Sequence, residues 1–203
     1  MLVRQEMLEE AVQVIRGLWQ GGYYSHRGRY YLVENARLYD LPPQPVPIVI
    51  AASGPRSAAL AGRIADGLIS TMPSRILVQQ FEAAGGRGKP IYGQIHVTWA
   101  RTEEEARKIS VEYWPIAGLK GPLNSELALP RYFEQAAQML TEEDVAQSMV
   151  LGPDPNRHVQ AIKKFADTGF THVYLHQTGP DQEGFFQFYQ REVMPRLRSA
   201  VPS

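Results

Sequence analysis

The sequence predicts an α/β protein built on a parallel sheet. Three observations carry this. Apolar runs at Ile48–Ala52, Gly67–Ser70, Ile91–Trp99 and Phe170–Gln177 alternate with segments of helical periodicity. The connections from helix back to strand are short. The first run is apolar throughout, as in a strand covered on both faces by helices rather than wetted on one. Strands joined by right-handed helical crossovers form one parallel sheet, and four of them suit half of a (β/α)8 barrel or a small open sheet.

Each element has its own signal. Leu8, Ala11, Val12, Ile15, Leu18 and Trp19 recur at helical spacing, so residues from about 4 to 19 form an amphipathic helix that Gly21-Gly22 ends. Tyr23-Tyr24-Ser25 and Arg29-Tyr30-Tyr31-Leu32 flank His26-Arg27-Gly28 as a hairpin. Leu41-Pro42-Pro43-Gln44-Pro45 leads into the first buried strand. Ser53-Gly54 then turns the chain, and Pro55 suits the first position of a helix reaching about Ala65. A further helix spans Ile76 to about Ala84, with Gly85-Gly86-Arg87-Gly88 as its loop. Thr102-Glu103-Glu104-Glu105 opens the next helix as a capping box, and Glu103/Arg107 and Glu104/Lys108 stand at i,i+4 spacing. Pro115 to about Pro130 reads as an irregular insertion, followed by short helices at Arg131–Leu140 and Thr141–Met149. Asp154-Pro155 caps a helix whose apolar face is Val159, Ile162, Phe165 and Ala166, and Gly169 stops it. Phe185, Phe186, Tyr189 and Val193 mark a C-terminal helix.

Bulk properties narrow the function classes. The 203 residues suffice for one domain with a sizeable core, and 44% hydrophobic with 21% charged residues is ordinary for a soluble globular protein. The formal net charge of 0 points to neither nucleic acid nor a charged membrane surface. With no cysteine, disulfides and thiolate metal sites are excluded, which fits a cytoplasmic protein. No run approaches the ~18 apolar residues that would span a bilayer.

The most informative stretch runs from Pro47 to Thr71, a strand, a glycine turn, a helix and a strand. The free N–H groups at such a helix start make an anion site. Arg56 falls in the first helical turn, where a cation opposes the helix dipole by roughly 0.3–1 kcal/mol. A bound phosphate reverses that penalty; the alternative is an Arg56 that points to solvent or pairs with a carboxylate. On the last strand His172, Tyr174 and His176 alternate and share one face. A metal there needs a third ligand, for which Asp181 is the nearest carboxylate, and no metal is expected. His176, at the strand end, suits a substrate pocket, and His172 suits packing. His96 alternates with Gln94 and Thr98 toward a barrel interior. Trp99 reads either as a wall for a flat ring or as rim packing. Glu103 to Glu105 read as a solvated, capped helix start. Tyr23, Tyr24, Tyr30 and Tyr31 read as hairpin packing on the first helix, or else as a sticky surface.

In order, the chain carries Leu-Glu-Glu-Ala-Val-x-x-Ile-Arg-x-Leu-Trp, Gly-x-Tyr-Tyr, Pro-Ile-Val-Ile-Ala-Ala-Ser-Gly-Pro and Ala-Gly-Arg-x-Ala-Asp-Gly-Leu-Ile. Asp154-Pro155, a strand ending in His176, and Phe-x-x-Phe-Tyr before Met-Pro-Arg-Leu follow. This pattern resembles the luciferase-like oxidoreductase superfamily, and within it the branch that uses the deazaflavin coenzyme F420 and includes the glucose-6-phosphate dehydrogenases.

The resemblance implies a single partial barrel domain over 1–203, the C-terminal half of a (β/α)8 TIM barrel with about four parallel strands, flanking helices and a β-hairpin insertion. It implies hydride transfer between a small-molecule substrate and F420, with an FMN-dependent monooxygenase or a non-catalytic half-barrel as alternatives. Ser53, Gly54, Arg56 and Ser57 fall on the family's cofactor-tail loop, Ser53-Gly54 replacing the usual Gly-Gly. The residues nearest the reacting carbon come from the family's N-terminal half, so no catalytic residue is assigned here. Thr71 keeps one of the positions that hold the sugar phosphate. The other three positions carry Ser74, Asn124 and Ser148, with Arg75 and Lys120 nearby, so the cationic clamp is lost and glucose 6-phosphate is not the expected substrate. Four strands leave sheet edges exposed, so a second copy or a complementing N-terminal half is the expected partner.

Overall fold

A computed structural model describes residues 2–121 and 123–200. They fall into two compact units. The first holds the chain up to Gly93 together with Thr168–His172, and the second holds Gln94–Asp167 and the chain from Val173 on.

In the first unit, helix α1 (Leu2–Trp19) precedes an antiparallel hairpin of β1 (Tyr24–Arg27) and β2 (Leu32–Ala36). The turn lies later than the sequence suggests: His26 and Arg27 belong to β1 and the chain reverses over 28–31. The cause is Glu10, whose carboxylate accepts the amides of Arg29 (3.1 Å), Tyr30 (3.1 Å) and Tyr31 (2.8 Å) and pairs with His26 Nε2 (3.1 Å). Burial of that carboxyl opposes its ionisation, but the amides of Tyr31 and Tyr30 and the His26 ring outweigh it and hold Glu10 below the usual carboxylate range.

Strand β3 (Val49–Ala51), helix α2 (Pro55–Ile64), strand β4 (Gly67–Ser70) and helix α3 (Arg75–Phe81) follow in the predicted order. The first strand is shorter than its apolar run, and α3 continues through a wider turn at Glu82–Gly86 that ends on Gly85 at φ +106°. β3 and β4 pair in parallel, with Ala51 opposite Ile69, and β4 pairs in parallel with Ile91–Gly93 of β5 (Ile91–Thr98). Asp66 ties these pieces together: it accepts the Ile48 amide (2.9 Å) and the Arg16 guanidinium (3.1 Å). Lys89 Nζ donates to the carbonyls of Gly62 and Ala65 at 2.9 Å each, placing a cation on the α2 C-terminus. Helix α2 lies close on α3 because Gly62 lacks a side chain; a Cβ there would stand 2.3 Å from the Phe81 carbonyl oxygen.

In the second unit, Val97 and Thr98 of β5 pair in parallel with Val150 and Leu151, a two-residue strand β6. The sequence gives no signal for β6, because two residues ending at Gly152 (φ +82°) carry no period. Helix α4 (Glu103–Tyr113) is capped by Thr102, whose hydroxyl accepts the Glu105 amide, and both i,i+4 ion pairs form. The expected irregular insertion is partly helical, with a 3-10 turn at Pro115–Gly118 and α5 at Leu123–Glu126, Pro122 lying outside the described residues. The next helices, α6 (Pro130–Ala137) and α7 (Glu142–Ala146), end earlier than predicted, α7 because the chain must straighten into β6.

Helix α8 (Pro155–Asp167) precedes β7 (His172–Gln177), which pairs with β5. The C-terminal helix is α9 (Gln182–Phe188), a wider turn at Tyr189–Val193, and α10 (Met194–Ala200). His158 is buried, donating from Nε2 to the Gly152 carbonyl (3.0 Å) and accepting at Nδ1 from the Tyr189 hydroxyl (2.7 Å). No helix among the described residues is long and apolar enough to cross a membrane.

Candidate functional site

Ser53 and Thr71 each stand two residues beyond the last paired residues of neighbouring parallel strands, Ala51 and Ile69. Both therefore lie at the carboxyl edge of the sheet in the first unit, where α/β proteins build ligand sites. From Ser53 the chain enters α2 with Pro55 at its first position and Ala58 as the first residue to donate back to Gly54. Gly54 and Ser57 bond to each other: the Gly54 amide donates to Ser57 Oγ (3.2 Å), and that hydroxyl donates to the Gly54 carbonyl (2.9 Å). The amides of Ser53, Arg56 and Ser57 have no acceptor among the described residues.

The sequence-predicted Ser53, Gly54, Arg56 and Ser57 come together on one open cavity of about 440 Å³, joined by Pro55, Arg4 and Gln5. Arg56 is exposed at its mouth, and no ion pair holds Arg4 or Arg56 among the described residues. The first turn of α2 has no acidic residue, so amides, dipole and guanidinium groups share one sign. Gly54 has φ −153°, which any residue adopts, and a Cβ there would meet nothing within 4 Å. The chain itself does not require glycine at this point, and Gly54 lines the cavity. The residues thus fit the phosphate of a nucleotide-like coenzyme. Arg4 and Gln5 escaped the sequence reading, since nothing in a helix some fifty positions upstream marks them as neighbours of the loop.

Thr71 is exposed just past β4, and Ser70 Oγ accepts the Met72 amide to shape that strand end. His176 belongs to the second unit. Its Nδ1 lies 2.9 Å from Nδ1 of His96, and the Trp114 ring stands edge-on to it at 4.8 Å between centroids. Burial, and secondarily His176, pull the His96 pKa below its ordinary value. His172 is exposed and leans on the Tyr92 ring at 4.9 Å, so its packing role is confined to the surface. Trp99 packs on Phe188 at 5.9 Å. Lys120 is engaged with Asp144 (3.3 Å). No group of three or more potential metal ligands occurs among the described residues.

The luciferase-like monooxygenase family model matches residues 3–172. The chain is 34% identical to an F420-dependent glucose-6-phosphate dehydrogenase of Nakamurella multipartita over 96% of its own length and 60% of the relative's. A second enzyme of that description, from Microbacterium testaceum, is 32% identical over 96% and 61%. Among solved structures, an F420-dependent secondary alcohol dehydrogenase in complex with an F420–acetone adduct superposes with a TM-score of 0.82 at 25% identity, covering 98% of this chain and 63% of that one. The F420-dependent tetrahydromethanopterin reductase of Methanopyrus kandleri superposes with a TM-score of 0.65 at 20% identity, covering 94% and 63%, a likeness of fold. The chain thus spans about 60% of the length of the curated relatives it matches.

Proposed function

Since the chain belongs to the luciferase-like monooxygenase family, we propose that it is the cofactor-tail and substrate-side part of an F420-dependent oxidoreductase barrel. The observation that carries this reading is the loop at Ser53–Ser57, where unpartnered amides, Arg56 and Arg4 converge on an open cavity at a sheet's carboxyl edge. When bound, F420 supplies hydride acceptance or donation. The chain's own residues would hold its phosphate: Arg56 and Arg4 by charge, and the Ser53, Arg56 and Ser57 amides by hydrogen bonds. Thr71 and His176 would face the substrate. The names of the relatives support F420 over FMN, although both carry a phosphate such a loop would accept.

Fluorescence titration tests this directly. F420 should bind the chain saturably, with FMN as the weaker competitor, and Arg56→Ala should weaken F420 by about tenfold. Tighter FMN binding would move the protein to the flavin monooxygenases, and absence of binding by either would refute the loop's role. A partner belongs to the proposal too. β3 is a terminal strand with β4 as its one neighbour among the described residues, and Val49 is 37% exposed. Such an edge suits pairing with a second copy or with a complementing N-terminal half. Light scattering that finds a monodisperse monomer unresponsive to such a half would count against it.

A further inference from the structure

The C-terminal helical run, made of α9, the wider turn and α10, leaves an apolar groove open to solvent. The groove has a volume of about 550 Å³ and is lined by Phe186, Tyr189, Gln190, Met194, Pro195 and Arg198. Phe186 is 65% exposed and Met194 42%, whereas Phe185, Phe188, Tyr189 and Val193 of the same run are buried. One side of the run therefore packs inside the second unit, and a second apolar stripe is left without cover. The two ends of the run differ in charge. Glu183 stands in the first turn behind the Asp181 cap, and Arg198 stands in the last. Neither Glu183 nor Arg198 has an ion-pair partner among the described residues, and Glu183 accepts a neutral hydrogen bond from Gln187 (3.0 Å).

We infer that this stripe is where two copies of the chain associate, helix against helix and antiparallel, about a two-fold axis at Gln190. The spacing of the residues fixes the axis. Phe186 and Met194 stand equally far before and after Gln190, so an antiparallel copy sets Phe186 of each chain against Met194 of the other, ring against thioether. The same register brings Glu183 to Arg198 of the second copy at both ends. It also brings Gln190 to its own copy, and an amide both donates and accepts. A parallel pairing would instead set Glu183 on Glu183 and Arg198 on Arg198, like charges together. The antiparallel pairing opposes the two helix dipoles as well. A single pair of helices this short makes a contact smaller than a standard interface, so the dimer is a weak one. The inference goes beyond the F420 reading and does not depend on it, and its surface is separate from the β3 edge.

Sedimentation equilibrium of the whole chain without cofactor tests this. It should find a monomer–dimer equilibrium with a dissociation constant on the order of tens of micromolar. Phe186→Glu and Met194→Glu should each weaken the dimer by about tenfold or more, while the melting temperature holds because both side chains are exposed. Glu183→Arg and Arg198→Glu should each weaken it several-fold, and the two together should restore it, since every end contact re-forms with its signs exchanged. The chain has no cysteine, so a single introduced thiol reports on geometry. Gln190→Cys should cross-link to its own copy under air oxidation, because the axis brings the two positions within disulfide reach. Glu183→Cys should not, because its copy lies about 21 Å away along the helix axes. The thiol variants keep the question open to measurement if a glutamate variant fails to fold. The inference is overturned by a monomer throughout the micromolar range or by a charge exchange that restores nothing. A dimer indifferent to both glutamate variants also overturns it and moves the contact to the β3 edge. So does a monomer that binds a polypeptide matching the part of the relatives this chain does not span, which would give the groove to that segment. Because F420 is absent throughout, a failure of cofactor binding leaves these readouts intact, and the two claims fall separately.

Discussion

Ser57 and Gly54 are bonded to each other in both directions, amide to hydroxyl at 3.2 Å and hydroxyl to carbonyl at 2.9 Å. One side chain thereby fixes the turn from β3 into α2 and leaves the Ser53, Arg56 and Ser57 amides without an acceptor among the described residues. Ser57→Ala should cost about 1 kcal/mol of stability, as loss of a helix-start cap does. Chemical denaturation measures this, and F420 affinity should fall as well because the turn that aims the amides loosens. A variant of unchanged stability would show that the Pro55 start holds the turn unaided.

Two glycines of the same segment should behave oppositely. At Gly54 an added Cβ meets nothing, at a φ open to any residue, so Gly54→Ala should fold with undiminished stability. Its methyl group would occupy the approach to the cavity, and F420 should bind about tenfold more weakly, a loss near 1.4 kcal/mol. At Gly62 the added carbon would stand 2.3 Å from the Phe81 carbonyl oxygen, which cannot move without displacing α3. Gly62→Ala should therefore destabilise by about 1–3 kcal/mol, in the range of overpacked cores. Paired melting curves and fluorescence titrations separate the two effects.

Arg4 and Arg56 make the cavity's attraction for an anion electrostatic, and both guanidinium groups are open to solvent. F420 affinity should therefore drop as salt rises, because exposed charges are screened within about 8 Å at physiological ionic strength. Arg4→Ala should flatten that salt dependence, and Arg4→Lys should restore part of it, since lysine keeps the charge without the bidentate geometry. A salt-independent affinity in the unaltered chain would place the coenzyme phosphate elsewhere.

What was legible in the sequence depended on local signals. The order of β3, α2 and β4, the Thr102 cap and the Glu103/Arg107 and Glu104/Lys108 pairs follow from periodicity and short spacing, and the structure forms them. The strand, glycine turn and Pro55 helix start that bring Ser53 to Ser57 together are local signals of the same kind. The failures share a cause in long-range contacts. The hairpin turn moved because Glu10, some twenty residues earlier, gathers its amides. Arg4 reaches the loop across about fifty positions, and the His96–His176 contact spans eighty. Strand β6 exists through its pairing with Val97 and Thr98, and its two residues had no pattern to offer.

Stability should depend on pH through His158. Burial pulls its pKa below the ordinary value, and its hydrogen bonds to Gly152 and Tyr189 are those of a neutral ring. In the unfolded chain the ring protonates near pH 6.5. The unfolded state therefore binds the extra proton first, so His158's contribution is complete above pH 6.5 and is lost as pH falls through the lower folded value. Denaturation midpoints should decline from pH 8 to pH 5, and His158→Gln should remove part of that slope while keeping the donor to Gly152. His96, shifted the same way, accounts for a further part. A slope unaltered by His158→Gln would mean that the ring is charged when folded.

Glucose 6-phosphate should bind poorly, although the chain's relatives include enzymes named for that sugar. Thr71 retains a hydroxyl at one phosphate-holding position by resemblance, and Ser74, Asn124 and Ser148 stand where the other three fall. None carries charge, and Lys120, the nearest lysine in sequence to Asn124, is committed to Asp144 at 3.3 Å. A phosphate dianion held by hydroxyls and an amide lacks the charge-assisted bonds that make such contacts roughly twice as strong as neutral ones. Saturation-transfer NMR on the chain should show glucose 6-phosphate unbound at millimolar concentration. Ser74→Lys should gain sugar-phosphate binding, because it returns one cation to the strand end beside Thr71. Saturable glucose 6-phosphate binding by the unaltered chain would overturn the expectation and imply that another cation of the protein serves the phosphate.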